Sequence, residues 1–422
     1  MKKGKNIVAN KANRTHEAYG AYGLMIGLMG LIGLMGCSKD EVPSGGSNGE
    51  PAGTALVEVA SYVRWYDEAY GANRAHEANK VNRAWAIPSG YVAYEDGEQP
   101  IGIAFTQDGV DPTIGADPEN PKSMIGSFFK SGDKWRTDLT IGSGDYYLYG
   151  YIPHQTAINY SITDYDGAEG PNEANGSYST GAIMTLQNVP TVMPNDLCVV
   201  IGAKHGYDRE HDGNNDGTNR LRMGDFSFTA KQGTDSKDYV FLLFDHLYAA
   251  LRVRMRVHDD YAALRTIKLK SLQLNTQAGE TKTTKKTTIT IKLKANDGSS
   301  SPIDTLTFTP TGEEIDGGLE FWSDDAGHKL TTDLQPFIGH FMPSGITKLI
   351  LTSTYDVYDT KGNLIRQDCK ATNTMVLQDL LTGQTVTERG KRYTIDMTIQ
   401  PTYLYMLSEP DLDNPTVTIN NN

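Results

Sequence analysis

Cysteine, tryptophan and histidine are scarce in this chain of 422 residues, which has 3, 4 and 9 of them. So few cysteines exclude a disulfide-stapled scaffold, and Cys198 and Cys369 stand at no metal-ligand spacing. No two histidines have H-x-x-x-H spacing, which leaves zinc chemistry without a motif. Phosphate loops of the G-x-x-x-x-G-K-S/T and G-x-G-x-x-G types are missing, and no G-x-S-x-G elbow at a strand-to-helix turn supplies a nucleophile. Charged residues are 22% and hydrophobic ones 38%, a balance that fits neither general disorder nor a multi-span membrane protein. The net charge is −13. A chain this acidic is a poor partner for a phosphate backbone, and nucleic acid is set aside. What abounds is turn and surface chemistry: 43 glycines, 18 prolines and 23 tyrosines.

Residues 1–36 read as a lipoprotein signal peptide. Lys2, Lys3 and Lys5 give a positive start, and Leu24–Gly36 carries no charge. As a helix that run would reach about 20 Å, short of a roughly 30 Å hydrocarbon core, so it is a signal h-region rather than a span. Leu34-Met35-Gly36-Cys37-Ser38 resembles a bacterial lipobox, which makes Cys37 the lipidated residue and the new N-terminus. Acyl chains contribute about 0.8 kcal/mol per buried methylene, so a multiply acylated cysteine holds a membrane stably. The next residues, Ser38-Lys39-Asp40-Glu41, resemble the lysine-plus-acidic export signal of Bacteroidetes surface lipoproteins, implying an outer-membrane location facing the medium. Residues 37–54, with Pro43-Ser44-Gly45-Gly46-Ser47-Asn48-Gly49, form a flexible lipidated tether.

Long helical periodicity is absent from the body, and alternation takes its place. In Leu251-Arg252-Val253-Arg254-Met255-Arg256-Val257 apolar residues take one face and arginines the other, the pattern of a half-buried strand. Similar segments lie at 55–63, 146–152, 197–203, 226–230, 239–244, 267–274, 287–294, 349–358 and 393–399. Tyr261-Ala262-Ala263-Leu264 fits one helical turn. The expected fold is all-β: two tandem antiparallel β-sandwiches, an N-terminal one over 55–235 and a C-terminal one over 236–402, then a tail at 403–422. At about 150 residues per domain the length allows two such cores. The tracts 158–179 and 205–222 are rich in Gly, Asn and Asp and read as surface insertions.

Candidate chemistry is thin. Asp212, Asn214 and Asp216 match the first half of a calcium loop, but its twelfth position is Met223, so a solvated Asn/Gly loop is the better reading. The carboxylates Glu409, Asp411 and Asp413 have no partner across a cleft and sit among prolines, as a tail would. His246, in Phe244-Asp245-His246-Leu247, lacks a nucleophile and reads as a histidine hydrogen-bonded at a strand end. Lys282, Lys285, Lys286, Lys292 and Lys294 alternate with threonines, as on a protected edge. An extracytoplasmic place permits a Cys198–Cys369 disulfide; two separately buried thiols are the other reading. No cofactor is called for and no enzyme is expected.

Several segments together resemble the fimbrillin-like (Mfa-like) surface lipoproteins of Bacteroidetes, the pilins of type V pili. They are the lipobox at Cys37, Val81-Asn82-Arg83-Ala84-Trp85, Pro88-Ser89-Gly90-Tyr91, Pro100-Ile101-Gly102-Ile103-Ala104-Phe105, Tyr146–Pro153, Phe244–Leu251 and Tyr403–Asp411. The insertion from Arg64 to Asn82 departs from that pattern. The resemblance implies transthyretin-like sandwiches, export as a lipoprotein, and a processing protease that cuts after arginine or lysine. Arg83-Ala84 is the matching cleavage point, with Arg64 and Arg74 as rivals, and 55–63 is the strand that cleavage would release. It further implies that other pilin subunits donate a C-terminal strand, with Tyr403, Tyr405 and Leu407 as the donor side chains here. The alternative is a monomeric surface lipoprotein that binds glycan or another extracellular ligand.

Overall fold

Leu251, Val253, Met255 and Val257 are buried on strand Ala249–Val257, and the three arginines between them are half-buried on its other face. The period of two seen in the sequence is thus the period of the fold. A computed structural model describes residues 55–56, 58–68, 90–94, 98–107, 123–132, 134–139, 144–164, 181–206, 221–230, 239–294, 300–315, 317–380, 385–403 and 410–420. All of them belong to the compact unit Gly49–Asn422. They are nearly all strand, in four sheets, so the protein is all-β.

The largest sheet has ten strands. Its path runs Ala55–Leu56, Lys134–Thr137, Ser123–Ser131, Ile101–Gln107, Gly144–Ile152, Cys198–Gly206, Tyr239–His246, Glu58–Arg64 and Tyr91–Ala93, with Ser227–Ala230 beside Gly144–Ile152. Both faces of its central strands are buried. On Tyr239–His246, Val240, Leu242 and Phe244 join one core with Ile103, Phe128 and Trp135, while Phe241 and Leu243 join another. A strand covered on both faces reads as a continuous apolar run, which is why Val240–Phe244 does not alternate.

The second core lies between that sheet and a four-stranded one of order Ile303–Glu314, Thr284–Leu293, Ala182–Pro190, Asn159–Asp164. Two expectations are corrected here. Asn159–Asp164 is a strand with Ile162 buried, not part of a loop-rich insertion. The lysine-bearing strand Thr284–Leu293 is interior, paired on both sides, so its lysines guard no edge. Its threonine and isoleucine positions bury Thr287, Ile289 and Ile291, which drives the strand into the sheet. The same pairing joins residues 284–293 to 182–190, across the boundary expected near residue 235.

A third core is enclosed by a six-stranded and a five-stranded sheet. The six-stranded sheet has the order Val192–Met193, Gln335–Phe341, Ala249–Val257, Lys391–Tyr403, Pro410–Asn420, and Asp67–Glu68 also pairs with Lys391–Tyr403. The five-stranded one is Thr281–Lys282, Arg265–Ala278, Lys348–Asp359, Leu364–Val376, with Leu319–Lys329 on Arg265–Ala278. The helical turn spans Asp259–Ala262, two residues earlier than its sequence pattern placed it. Cys198 and Cys369 are both free: the first lies in the core of the ten-stranded sheet, the second against the third core.

Candidate functional site

The segment 58–68 is built into both halves of the fold. Its strand Glu58–Arg64 pairs in parallel with Tyr239–His246, from Glu58 opposite Tyr239 to Val63 opposite Phe244, and antiparallel with Tyr91–Ala93 on its other side. Alternation sends Val59 and Val63 into one core and Ala60 and Tyr62 into the other. Burying each of the two valines contributes roughly 1.5–3 kcal/mol. The backbone then continues past Arg64, where the Trp65 amide donates to the Gly90 carbonyl at 2.8 Å. Asp67–Glu68 goes on to pair in parallel with Lys391 and Arg392. The stretch expected as one first strand over 55–63 holds two: Ala55–Leu56, paired with Lys134–Thr137, and Glu58–Arg64, paired with Tyr239–His246.

Where this segment crosses between sheets it covers a polar cluster. His246, 1% exposed, ends its strand with Nδ1 2.7 Å from Asp196 Oδ2 and 3.6 Å from Cys198 Sγ. Its Nε2 donates to the Arg64 carbonyl at 2.5 Å, and its ring lies under Tyr66 with centroids 3.7 Å apart, nearly parallel. Asp245 is directed to the opposite side. One of its oxygens accepts from the His246 amide at 3.0 Å and the other from Arg389 at 3.0 Å, with Arg64 4.0 Å away. Arg389 also donates to the His246 carbonyl at 3.0 Å. His340, buried, donates from Nδ1 to the Pro194 carbonyl at 3.1 Å. Arg392 lies over the rings of Tyr66 and Trp65, 5.2 and 5.7 Å from their centroids.

Burial alone would push the His246 imidazole towards neutrality, but Asp196, Asp245 and the Arg64 carbonyl together hold its pKa above the usual value. Burial likewise opposes ionisation of Asp196, and His246 overcomes it, so the carboxyl is held low. His340 has no such partner strength and burial pushes its pKa down. The Cys198 thiol and the Tyr66 hydroxyl are both pushed up, by burial first and then by the Asp196 charge. Beside these groups lies a cavity of about 160 Å³, lined among others by Tyr66, Asp196, His246, His340 and Arg392.

Of the residues singled out from sequence, His246 is where a strand-end histidine was expected, with its hydrogen bonds identified. Tyr403 closes the strand Lys391–Tyr403, paired with Pro410. Cys37, Arg74, Arg83, Ala84, Asp212, Asn214, Asp216, Tyr405 and Leu407 lie outside the described residues. Sequence reasoning did not find Asp196, Tyr66, His340 or Arg389. Their separations along the chain belong to no motif, and only the pairing of Cys198–Gly206 with Tyr239–His246 brings Asp196 and Cys198 to His246. The one available signal was the Phe244-Asp245-His246-Leu247 tetrapeptide, polar residues closing an apolar run.

No family model and no curated protein matches the sequence. Solved structures similar to it are Bacteroidetes fimbrial and cell-adhesion proteins. A fimbrial protein of Bacteroides vulgatus is 16% identical, with 76% of this chain and 91% of that chain covered and a TM-score of 0.29. A candidate cell adhesion protein of Bacteroides uniformis is 12% identical over 87% of this chain and 98% of that one, TM-score 0.30. The fimbrial anchor protein Mfa2 of Porphyromonas gingivalis is 11% identical over 86% and 97%, TM-score 0.18.

Proposed function

We propose that this chain is a structural subunit of a cell-surface pilus, exported as a lipoprotein on Cys37, cut after Arg83 and polymerised by strand exchange. The observation that carries the reading is the seat of Glu58–Arg64. A short strand from the start of the chain fills an interior place in a sheet, between Tyr239–His246 and Tyr91–Ala93. Its apolar side chains fill pockets on both faces, and Arg74 and Arg83 follow it in the sequence. Excision there would leave a groove with unpaired backbone groups and two rows of apolar pockets, which an extended strand of another subunit satisfies by β-augmentation.

Donation from one subunit to the next is heterologous and does not close on itself, so it makes a filament. The C-terminal strand Pro410–Asn420 is suited to the donor role because it is an outermost strand, held on one side by Lys391–Tyr403. Tyr403, Tyr405 and Leu407 would extend it. The partners in this reading are other pilin subunits, the protease and the outer membrane, and no catalytic group is needed. A monomeric surface lipoprotein that binds a ligand is the second reading, favoured by the cavity beside Trp65, Tyr66 and Arg392.

Limited trypsin digestion of the soluble chain, with mass mapping of the new N-terminus and native sizing, separates the two. Cleavage after Arg83 with a ladder of oligomers supports the pilin. An Arg83→Ala chain that assembles as well as the parent removes Arg83 from the scheme, and a persistent monomer after cleavage sinks strand exchange.

A further inference from the structure

We infer that Asp196, Cys198 and His246 form a binding site for one divalent transition-metal ion, zinc being the ion whose ligand preferences they match. The inference concerns the uncleaved chain, because Arg64 and Tyr66, which flank the site, lie in the segment that cleavage after Arg83 would release. The three ligand atoms lie within 4.8 Å of one another in a buried place. Zinc bonds of about 2.0–2.3 Å in tetrahedral array separate neighbouring ligand atoms by about 3.3–3.7 Å. The His246 Nδ1 to Cys198 Sγ distance of 3.6 Å already fits. The Asp196 oxygen, at 2.7 Å, has to draw back by about half an ångström. Asp196 keeps a second, buried oxygen, Oδ1, that makes no hydrogen bond.

The other nitrogen of His246 supplies the second argument. Nε2 faces the Arg64 carbonyl at 2.5 Å and so carries a proton. Metal-bound histidines are held in this way, with the far ring nitrogen donating to a carbonyl, which fixes the tautomer and frees the near nitrogen for the ion. Nδ1, a carboxylate and a thiol then converge on one point. A proton there joins only His246 and Asp196, whereas a divalent cation engages all three. With the thiol ionised, the two negative ligands cancel the charge of the ion, so the buried site becomes neutral overall. A thiolate beside an imidazole selects zinc over calcium or magnesium.

Room for a fourth ligand is present. The cavity of about 160 Å³ touches Asp196 and His246 and can hold a water. Tyr66, 7% exposed, points its hydroxyl into this region beside the Asp196 carboxylate and feels its charge. That hydroxyl can hold the water in the fourth position. Binding displaces the thiol proton and the Nδ1 proton, which leave to solvent. The ion would tie the start of Cys198–Gly206 to the end of Tyr239–His246, directly beneath Arg64.

The test uses the full chain, reduced, titrated with Co²⁺ and Zn²⁺. One ion per chain is expected, with a thiolate-to-cobalt charge-transfer band that zinc abolishes. Cys198→Ala should lose the band and bind zinc at least ~10-fold more weakly, Asp196→Asn should weaken it comparably, and Cys369→Ala should do neither. A band that persists in Cys198→Ala, or zinc affinity equal in that variant and the parent, overturns the inference. Should Cys198→Ala not fold, alkylation of the parent chain in mild urea decides. Zinc should slow modification of Cys198 about ten-fold or more while leaving Cys369 unchanged, and equal rates with and without zinc overturn the site.

Discussion

A Cβ placed at Gly202 would lie 2.2 Å from the Arg222 carbonyl oxygen, a backbone atom that cannot swing away. The close approach lets the Gly224 amide donate to Ile201 at 2.7 Å and the Ala203 amide to Asp225 at 2.7 Å. Gly202→Ala is therefore expected to cost about 3 kcal/mol or more, read from the urea midpoint of the two chains. Tyr66 acts by coverage. Its ring lies on His246 and beneath Arg392, and almost none of it reaches solvent. Tyr66→Ala should destabilise by about 3 kcal/mol through the cavity it leaves, whereas Tyr66→Phe, which keeps the ring, should cost under about 1 kcal/mol. Equal costs for both would mean that the hydroxyl, and not the ring, holds the segment. None of these contacts has a local signature, since Gly202 is one glycine among 43 and Tyr66 one tyrosine among 23.

At the scale of the element, the arginine stripe shows how pattern and partner combine. Ala249–Val257 lies parallel to Lys391–Tyr403, and its outward arginines are matched in register. Arg252 donates to Thr394 at 3.0 Å, Arg254 to both oxygens of Asp396 at 2.7 and 2.8 Å, and Arg256 to Thr398 at 3.2 Å. The alternation that placed the arginines on one face was plain in the sequence. Their partners, some 140 positions away, were not. The Asp396 side chain is 8% exposed and Arg254 38%, so the central pair is shielded from solvent on one side only. Arg254→Ala is expected to cost about 1–2 kcal/mol by leaving a buried carboxylate short of donors. Arg254→Lys should restore only part of this, because an ammonium cannot bridge both oxygens. A double-mutant cycle with Asp396→Asn checks the coupling.

At the scale of the whole molecule, an early and a late segment of the chain meet the same strand. Asp67–Glu68 and Pro410–Asn420 both pair with Lys391–Tyr403, at Lys391–Arg392 and from Asp396 to Tyr403. The segment that opens the body thus ties the ten-stranded sheet to the six-stranded one. Removing residues 1–83 takes away at least six buried side chains, those of Val59, Ala60, Ser61, Tyr62, Val63 and Tyr66, and an interior strand, and should lower the melting temperature by about 10 °C or more. A synthetic peptide of residues 55–68 should restore most of the loss in calorimetry. A truncated chain that melts with the parent would show that the strand contributes nothing to the fold. Such pairing between residues 58–63 and 239–244 is long-range, so refolding is expected on the slow side of the millisecond-to-second range.

The amino-acid sequence by itself determined the all-β class, most strand positions, the histidine at a strand end and the acidic, turn-rich surface. Each of these follows from short-range physics: a period of two, turn residues that break it, and charges that stay in water. Tertiary structure alone decided that Thr284–Leu293 is interior, that Asn159–Asp164 is a strand, and that Glu58–Arg64 enters the sheet in parallel beside Tyr239–His246. It alone brought Asp196, Cys198 and His246 together beneath Tyr66. The reason is common to all of them. Which strand lies beside which is set by how two faces of apolar side chains can both be buried, a condition on the whole chain that no local window contains.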